Sequence, residues 1–96
     1  MRHKFLVHAP GDSVGVAVEP IAAGETVQGV VLEDNSTTTI TAQDAVPLGH
    51  KIALVKLSAG DSVTKYGESI GRATAAIVPG QHLHVHNLKS QRAKRA

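Results

Sequence analysis

The chain has 96 residues, of which 42% are hydrophobic and none is cysteine, and its formal net charge is +2. A single domain of this length buries roughly 60 to 65% of its unfolded surface, which permits a small core and argues against a deep private cleft. Without cysteine there are no disulfides or thiolate metal sites, and the short apolar runs exclude a membrane span and predict a cytoplasmic protein.

The first half of the sequence predicts short strands. Phe5 and Tyr66 are the only aromatic residues, so the core must consist of aliphatic side chains that favour strands. Residues 4–8 and 14–18 predict two strands, and residues 26–42 predict a β-hairpin. We expect a short helical turn at residues 43–48, after which residues 52–57 form an apolar strand.

A seven-residue pattern occurs three times along the chain. It begins and ends with an apolar residue and has glycine at the fourth position, as expected where a turn requires positive φ. The copies are residues 21–27, 57–63 and 77–83.

The remaining segments complete the prediction of an all-β fold. Residues 63–70, 71–77 and 82–88 each predict a further strand, so the chain should form a compact barrel or sandwich. We place this domain at residues 1–90 and a basic disordered tail at residues 91–96. The body before the tail is net acidic and has few aromatic residues for stacking, which argues against nucleic-acid binding.

The strongest candidate site is the segment His82-Leu83-His84-Val85-His86-Asn87-Leu88. In an extended strand its three histidines would project from one face, with the apolar residues as anchors. Such imidazoles suit metal binding, acid/base chemistry or contact with an anion. They also suit a half-exposed strand whose histidines are merely solvated.

The spacing of the histidines limits how many of them could bind one metal ion. Adjacent histidines would lie about 6.6 Å apart along the strand and the outer pair about 13 Å apart, so one ion could bind two of them. A further ligand would come from elsewhere, with His8 and His50 as candidates. The sequence does not identify the metal ligands.

Other cationic and polar residues could contact an anionic substrate. His50 and Lys51 stand at the entrance of a predicted strand, where they could reach an anion or lie in a solvated turn. Lys65 and Tyr66 place an ammonium beside a phenol, and Tyr66 could instead cap a small core. Arg72 could bind an anion through two hydrogen bonds or form a surface ion pair. No phosphate-loop motif is present.

Taken together, the motifs of this chain resemble the SAF (β-clip) domain of altronate and galactarate dehydratases. The resemblance covers about residues 4–90. It rests on the glycine turns, on Gly49-His50-Lys51-Ile52-Ala53-Leu54, on Lys65-Tyr66-Gly67, on Ile70-Gly71 and on residues 82–88.

The resemblance implies a lyase subunit. In the fused dehydratases a large catalytic domain follows, so this chain is similar to a separately encoded small (alpha) subunit that requires a large (beta) subunit and is inactive alone. The implied reaction eliminates sulfite from a small anionic hydroxy acid, 3-sulfolactate, to give pyruvate. The implied cofactor is ferrous iron, held mainly by the large subunit.

The implied site residues follow from these motifs and from the chemistry of the side chains. We expect His84 and His86 to be catalytic, as hydrogen-bonding or acid/base groups. The substrate contacts that we expect are His50, Lys51, Lys65, Tyr66 and Asn87. Two alternatives are the small subunit of a sugar-acid dehydratase and a non-catalytic β-clip binding module.

Overall fold

The computed structural model describes residues 2–90, and these residues form nine strands and no helix. The predicted all-β class is therefore confirmed. No segment in this range is a helix that could span a membrane. The strands are β1 His3–Val7, β2 Val14–Ala17, β3 Thr26–Val31, β4 Thr37–Thr41, β5 Lys51–Ala53, β6 Ser62–Lys65, β7 Glu68–Ala73, β8 His82–Leu83 and β9 Leu88–Ser90.

The strands form two sheets. The larger sheet has the order β4-β3-β1-β2-β5-β8, and the smaller has the order β6-β7-β9. The pair β1–β3 is parallel and the other neighbours are antiparallel. This order puts β8, which begins the histidine segment, beside β5, about 30 residues earlier in the chain.

Four turns of one design connect the strands, one more than the sequence analysis identified. The additional copy is residues 46–52, which fit the same spacing of apolar residue, glycine and apolar residue. The four turn glycines have φ between 84° and 94°, a region that only glycine adopts readily. The first residues of the turns pair across the fold, Ile21 with Val46 and Leu57 with Ile77.

Two apolar clusters hold the sheets together. Phe5 lies at the centre of the first cluster and is 0% exposed. Its ring lies directly over Gly29 of β3, where even a methyl group would collide with it. The second cluster includes Val14, Val63 and Leu83 and joins the large sheet to the small one.

Five predicted elements differ from the structure, including the histidine segment, whose strand ends at Leu83. Residues 43–48 contain bends and the bridge to Ile21, so the expected helical turn is wrong. The strand expected at residues 63–70 reverses at Tyr66 and Gly67, whose positive φ values of 59° and 73° are typical of a tight hairpin turn. The apolar strand expected at 52–57 ends at Ala53, and the strand expected at 71–77 ends at Ala73. The predicted tail, residues 91–96, lies outside the described residues.

Candidate functional site

The pairing of β5 with β8 creates a histidine cluster. His50 immediately precedes β5 and His82 begins β8, so the antiparallel register brings their side chains together. The distance from His50 Nδ1 to His82 Nε2 is 2.8 Å, a hydrogen bond between the two rings. One nitrogen must donate and the other accept, so at least one of these imidazoles is neutral.

The segment after His82 is a turn rather than the long strand expected from its alternating pattern. Strand β8 ends at Leu83, and the backbone N–H groups of Asn87 and Leu88 both donate to the carbonyl of His84. Val85, expected to anchor a strand, is 83% exposed. A turn forms instead of a strand because the side chain of Asn87 stabilises it.

Asn87 is buried beneath the turn. Its Oδ1 accepts from the N–H of His84 at 3.0 Å, and its Nδ2 donates to the carbonyl of His82 at 2.8 Å. Both ends of its amide are thus engaged with the backbone of the histidine segment. The structure gives this residue a positioning task, and its contact with substrate stays a prediction.

The turn brings the histidines much closer together than an extended strand would. The ring of His84 stacks on that of His50 with centroids 3.9 Å apart, and the ring of His82 lies 5.0 Å from that of His50. The centroid of His86 lies 5.1 Å from that of His82. His50 and His82 are half-buried, whereas His84 and His86 are exposed.

Desolvation and neighbouring positive charges favour the neutral form of His82 and His84. Desolvation lowers the pKa of His82, and the charges of His86, His50 and His84 lower it further, while Asp44 opposes them. The pKa of His84 is also lowered, first by desolvation and then by His50, Lys51 and His86. Neutral imidazoles have a nitrogen lone pair that can accept a proton or bind a metal ion.

Pro47 explains how His50 becomes available to the cluster. In the other three turns, the fifth residue caps the backbone N–H of the second residue: Glu25 caps Ala22, Asp61 caps Ser58 and Gln81 caps Val78. In the remaining turn the second residue is Pro47, which has no N–H to cap. The fifth residue, His50, therefore bonds to His82 instead.

Cationic side chains lie beside the histidines. The charge of Lys51 contributes to the lowered pKa of His84, and the pKa of Lys51 is itself lowered, first by desolvation and then by the charge of Lys65. Lys65 Nζ lies 5.3 Å from the centroid of the Tyr66 ring, which stacks on His8 at 3.5 Å. Of the predicted substrate contacts, His50, Lys51, Lys65 and Tyr66 thus lie near one another, with His8 beside Tyr66, whereas Asn87 is buried.

Two acidic residues that the sequence analysis did not single out position this region. Asp44 Oδ2 accepts from the N–H of His82 at 3.0 Å. Asp12 is only 3% exposed, and its carboxylate accepts from the N–H groups of Ala9, Tyr66 and Gly67. No local pattern indicates the bonds of Asp44 to His82 or of Asp12 to Tyr66 and Gly67, because these partners are separated by 38 residues or more. Arg72 donates to the carbonyl of Gly60.

Replacing Asp12 by alanine is expected to loosen the Tyr66-Gly67 turn. The change removes three hydrogen bonds to a charged acceptor, so we expect unfolding free energy to fall by about 2 kcal/mol. Urea denaturation measures this loss. The matched control is Asp61→Ala, which removes a single exposed cap and should cost about 0.5 kcal/mol. Equal losses in the two variants would contradict the positioning role of Asp12.

Three of the histidines fit a metal ion. One ring nitrogen from each of His50, His82 and His84 can be chosen so that all three lie within 4.8 Å of one another. This set includes His50, one of the two ligands suggested from elsewhere in the sequence. The cluster offers imidazoles beside two lysines, which suits proton transfer and the binding of an anion.

Comparison with known proteins identifies clear relatives. Residues 3–91 match the family model of the altronate/galactarate dehydratase SAF domain. The chain is 42% identical over 89 residues to the (2R)-sulfolactate sulfo-lyase subunit alpha of Chromohalobacter salexigens, covering 92% of this chain and 95% of that protein. The subunit alpha of Paracoccus pantotrophus is 48% identical over 63 residues, 66% of this chain and 94% of that one.

In a longer relative, only a small part of the sequence is similar to this chain. The altronate dehydratase of Escherichia coli is 43% identical over 79 residues. These residues make up 82% of this chain but 15% of that enzyme. The match therefore concerns one domain of the longer protein.

Proposed function

This chain belongs to the altronate/galactarate dehydratase SAF domain family, and we propose that it is the small (alpha) subunit of a cytoplasmic lyase that eliminates sulfite from (2R)-3-sulfolactate. The observation that carries the proposal is the extent of the match. The chain covers 95% and 94% of two proteins named as sulfolactate sulfo-lyase subunit alpha. The name of these relatives as one subunit implies a second subunit in the active assembly.

The proposed reaction breaks two bonds of the substrate. A base removes the proton from C2, next to the carboxylate, and the C3–S bond breaks with its electron pair leaving on sulfite. The remaining enol takes up a proton at C3, loses its hydroxyl proton and becomes pyruvate. Such a reaction needs a base near C2, cations for two anionic groups, and a donor for the leaving group.

The histidine cluster and its lysines can supply these groups. We assign acid/base roles to His84 and His86, whose exposed rings can reach a molecule outside this chain. His50, Lys51 and Lys65 would contact the carboxylate and the sulfonate, with Tyr66 as a hydrogen-bond donor beside them. An ammonium between the two charged ends of the substrate would favour binding and stabilise negative charge as it develops.

The exposure of His84 and His86 supports a shared site. Acid/base catalysis and charge stabilisation are stronger when water is excluded, and on this chain those two rings face solvent. We propose that a large (beta) subunit covers this surface and completes the site. The dehydratase resemblance also implies ferrous iron, which would act as a Lewis acid toward the substrate's oxygen atoms. Among residues 2–90 of this chain, His50, His82 and His84 would hold such an ion.

The second candidate function is that of a sugar-acid dehydratase subunit. It keeps the family and the elimination chemistry, and the matches to altronate dehydratases favour it. Those matches cover 15% of each enzyme, which makes this the weaker candidate. A non-catalytic binding module would use the same fold without the acid/base residues.

The proposal is tested by reconstitution. The chain is assayed for release of pyruvate and sulfite from 3-sulfolactate, alone and mixed with the proposed large (beta) subunit from the same organism, with altronate and galactarate as comparison substrates. We expect turnover in the mixture and only with sulfolactate. Turnover of a sugar acid instead would replace the substrate, and no turnover in any mixture would favour the binding module.

A further inference from the structure

We propose that this chain by itself binds one divalent first-row transition-metal ion through ring nitrogens of His50, His82 and His84. The proposal differs from the expectation that the metal of the assembly is held mainly by the large subunit. It does not depend on which substrate the assembly uses. It concerns ligands on this chain alone.

The three nitrogens lie close to a metal-binding geometry. Metal–imidazole bonds of about 2.0 to 2.1 Å require ligand nitrogens roughly 3.0 to 3.4 Å apart. His50 Nδ1 and His82 Nε2 are 2.8 Å apart, and one ring nitrogen from each of the three residues can be chosen so that all lie within 4.8 Å of one another. Small rotations of the side chains would therefore bring all three to one ion. His84 is exposed, so its ring can turn without disturbing the core.

The backbone around the cluster is already ordered for this task. Asn87 fixes the turn that carries His84, through bonds to the backbone of His82 and His84. Because Pro47 has no backbone N–H, the side chain of His50 does not cap its own turn. Asp44 accepts a hydrogen bond from the backbone N–H of His82. These contacts bring the ligands together before a metal ion arrives, which lowers the entropy cost of binding it.

Three imidazoles define the class of metal. Imidazole suits zinc, iron, cobalt, nickel and copper, whereas magnesium and calcium prefer oxygen ligands. Three protein ligands also leave a coordination position free, the arrangement found in catalytic rather than structural sites. Lys51 and Lys65 add positive charge nearby, which opposes a bare cation and favours one that also binds an anion at the free position.

The test measures metal binding to the full chain, prepared without a histidine tag. Isothermal titration calorimetry with Zn(II), Co(II) and, without oxygen, Fe(II) gives the stoichiometry, and the visible absorption of Co(II) reports imidazole coordination. We expect one ion per chain. We expect His50→Gln, His82→Gln and His84→Gln each to weaken binding by at least about 100-fold. The matched control is His3→Gln, an exposed histidine on β1, which should bind like the unchanged chain.

Each outcome of the test decides the question. His84→Gln changes an exposed residue, so it keeps the test valid if His82→Gln fails to fold, and circular dichroism checks the fold of every variant. The proposal is overturned if the unchanged chain does not bind one ion, or if His84→Gln binds as tightly. It is also overturned if the metal-free chain binds sulfite or malonate but no metal. No substrate is used, so failure here is distinguishable from failure of the lyase assay.

Discussion

Replacing His84 or His86 by glutamine is expected to lower the kcat of the assembled two-subunit lyase by at least about 100-fold. Glutamine keeps hydrogen-bonding capacity but cannot exchange a proton near neutral pH. Both rings are exposed on this chain, so neither change should disturb its core. Steady-state kinetics with 3-sulfolactate measure the effect, and the assembled complex is quantified in parallel.

The two variants separate proton transfer from metal binding. His86 lies outside the three proposed ligands, so His86→Gln should reduce turnover while metal content stays unchanged, and His84→Gln should reduce both. The pH profile of kcat for His86→Gln should lose one titrating limb if this imidazole is an acid or base. His3→Gln serves as the control and should keep full turnover. Full activity in both the His84 and His86 variants would refute their assignment.

Replacing Gly29 by alanine is expected to have the largest effect on stability. The added methyl group would overlap the ring of Phe5, which lies at the centre of the first apolar cluster and is 0% exposed. Neither group can move away, because β3 is paired on both sides within the sheet. We expect unfolding free energy to fall by about 3 kcal/mol or more, measured by urea denaturation.

A second substitution tests the cause of this loss. Phe5→Leu removes the ring, so Gly29→Ala should cost much less in that background than in the unchanged chain. If the combined variant is too unstable to measure, the fraction of soluble folded protein gives the same comparison. Gln28→Ala, at the neighbouring position of β3, is the matched control and should cost less than about 1 kcal/mol. Equal costs of Gly29→Ala in both backgrounds would exclude the proposed collision.

Local sequence determined most of the strands and turns. The alternation of Val14 and Val16, the threonine-rich hairpin strand and the glycine turns depend on neighbouring residues, and the structure contains all of them. The fourth turn, at residues 46–52, has the same spacing and could have been found in the sequence. Its second residue is Pro47 and its fifth is His50, so it lacks the capping side chain that the other copies have at the fifth position.

The sequence also indicated the histidines of the candidate site but not their arrangement. Alternation predicted a strand for the histidine segment, whereas Asn87 folds it into a turn by accepting from the backbone of His84 and donating to that of His82. A hydrogen bond from one side chain can outweigh a weak strand preference, and alternation alone does not reveal it.

Only the tertiary structure decided which groups meet. His50 and His82 are 32 residues apart, and the carboxylate of Asp12 reaches a turn 54 residues away. Such contacts depend on the order of strands in the sheets, which residue spacing along the chain does not specify. The sequence by itself therefore determined the fold class, the glycine turns and the kinds of side chain in the candidate site. The pairing of β5 with β8 decided that three of those side chains form one cluster.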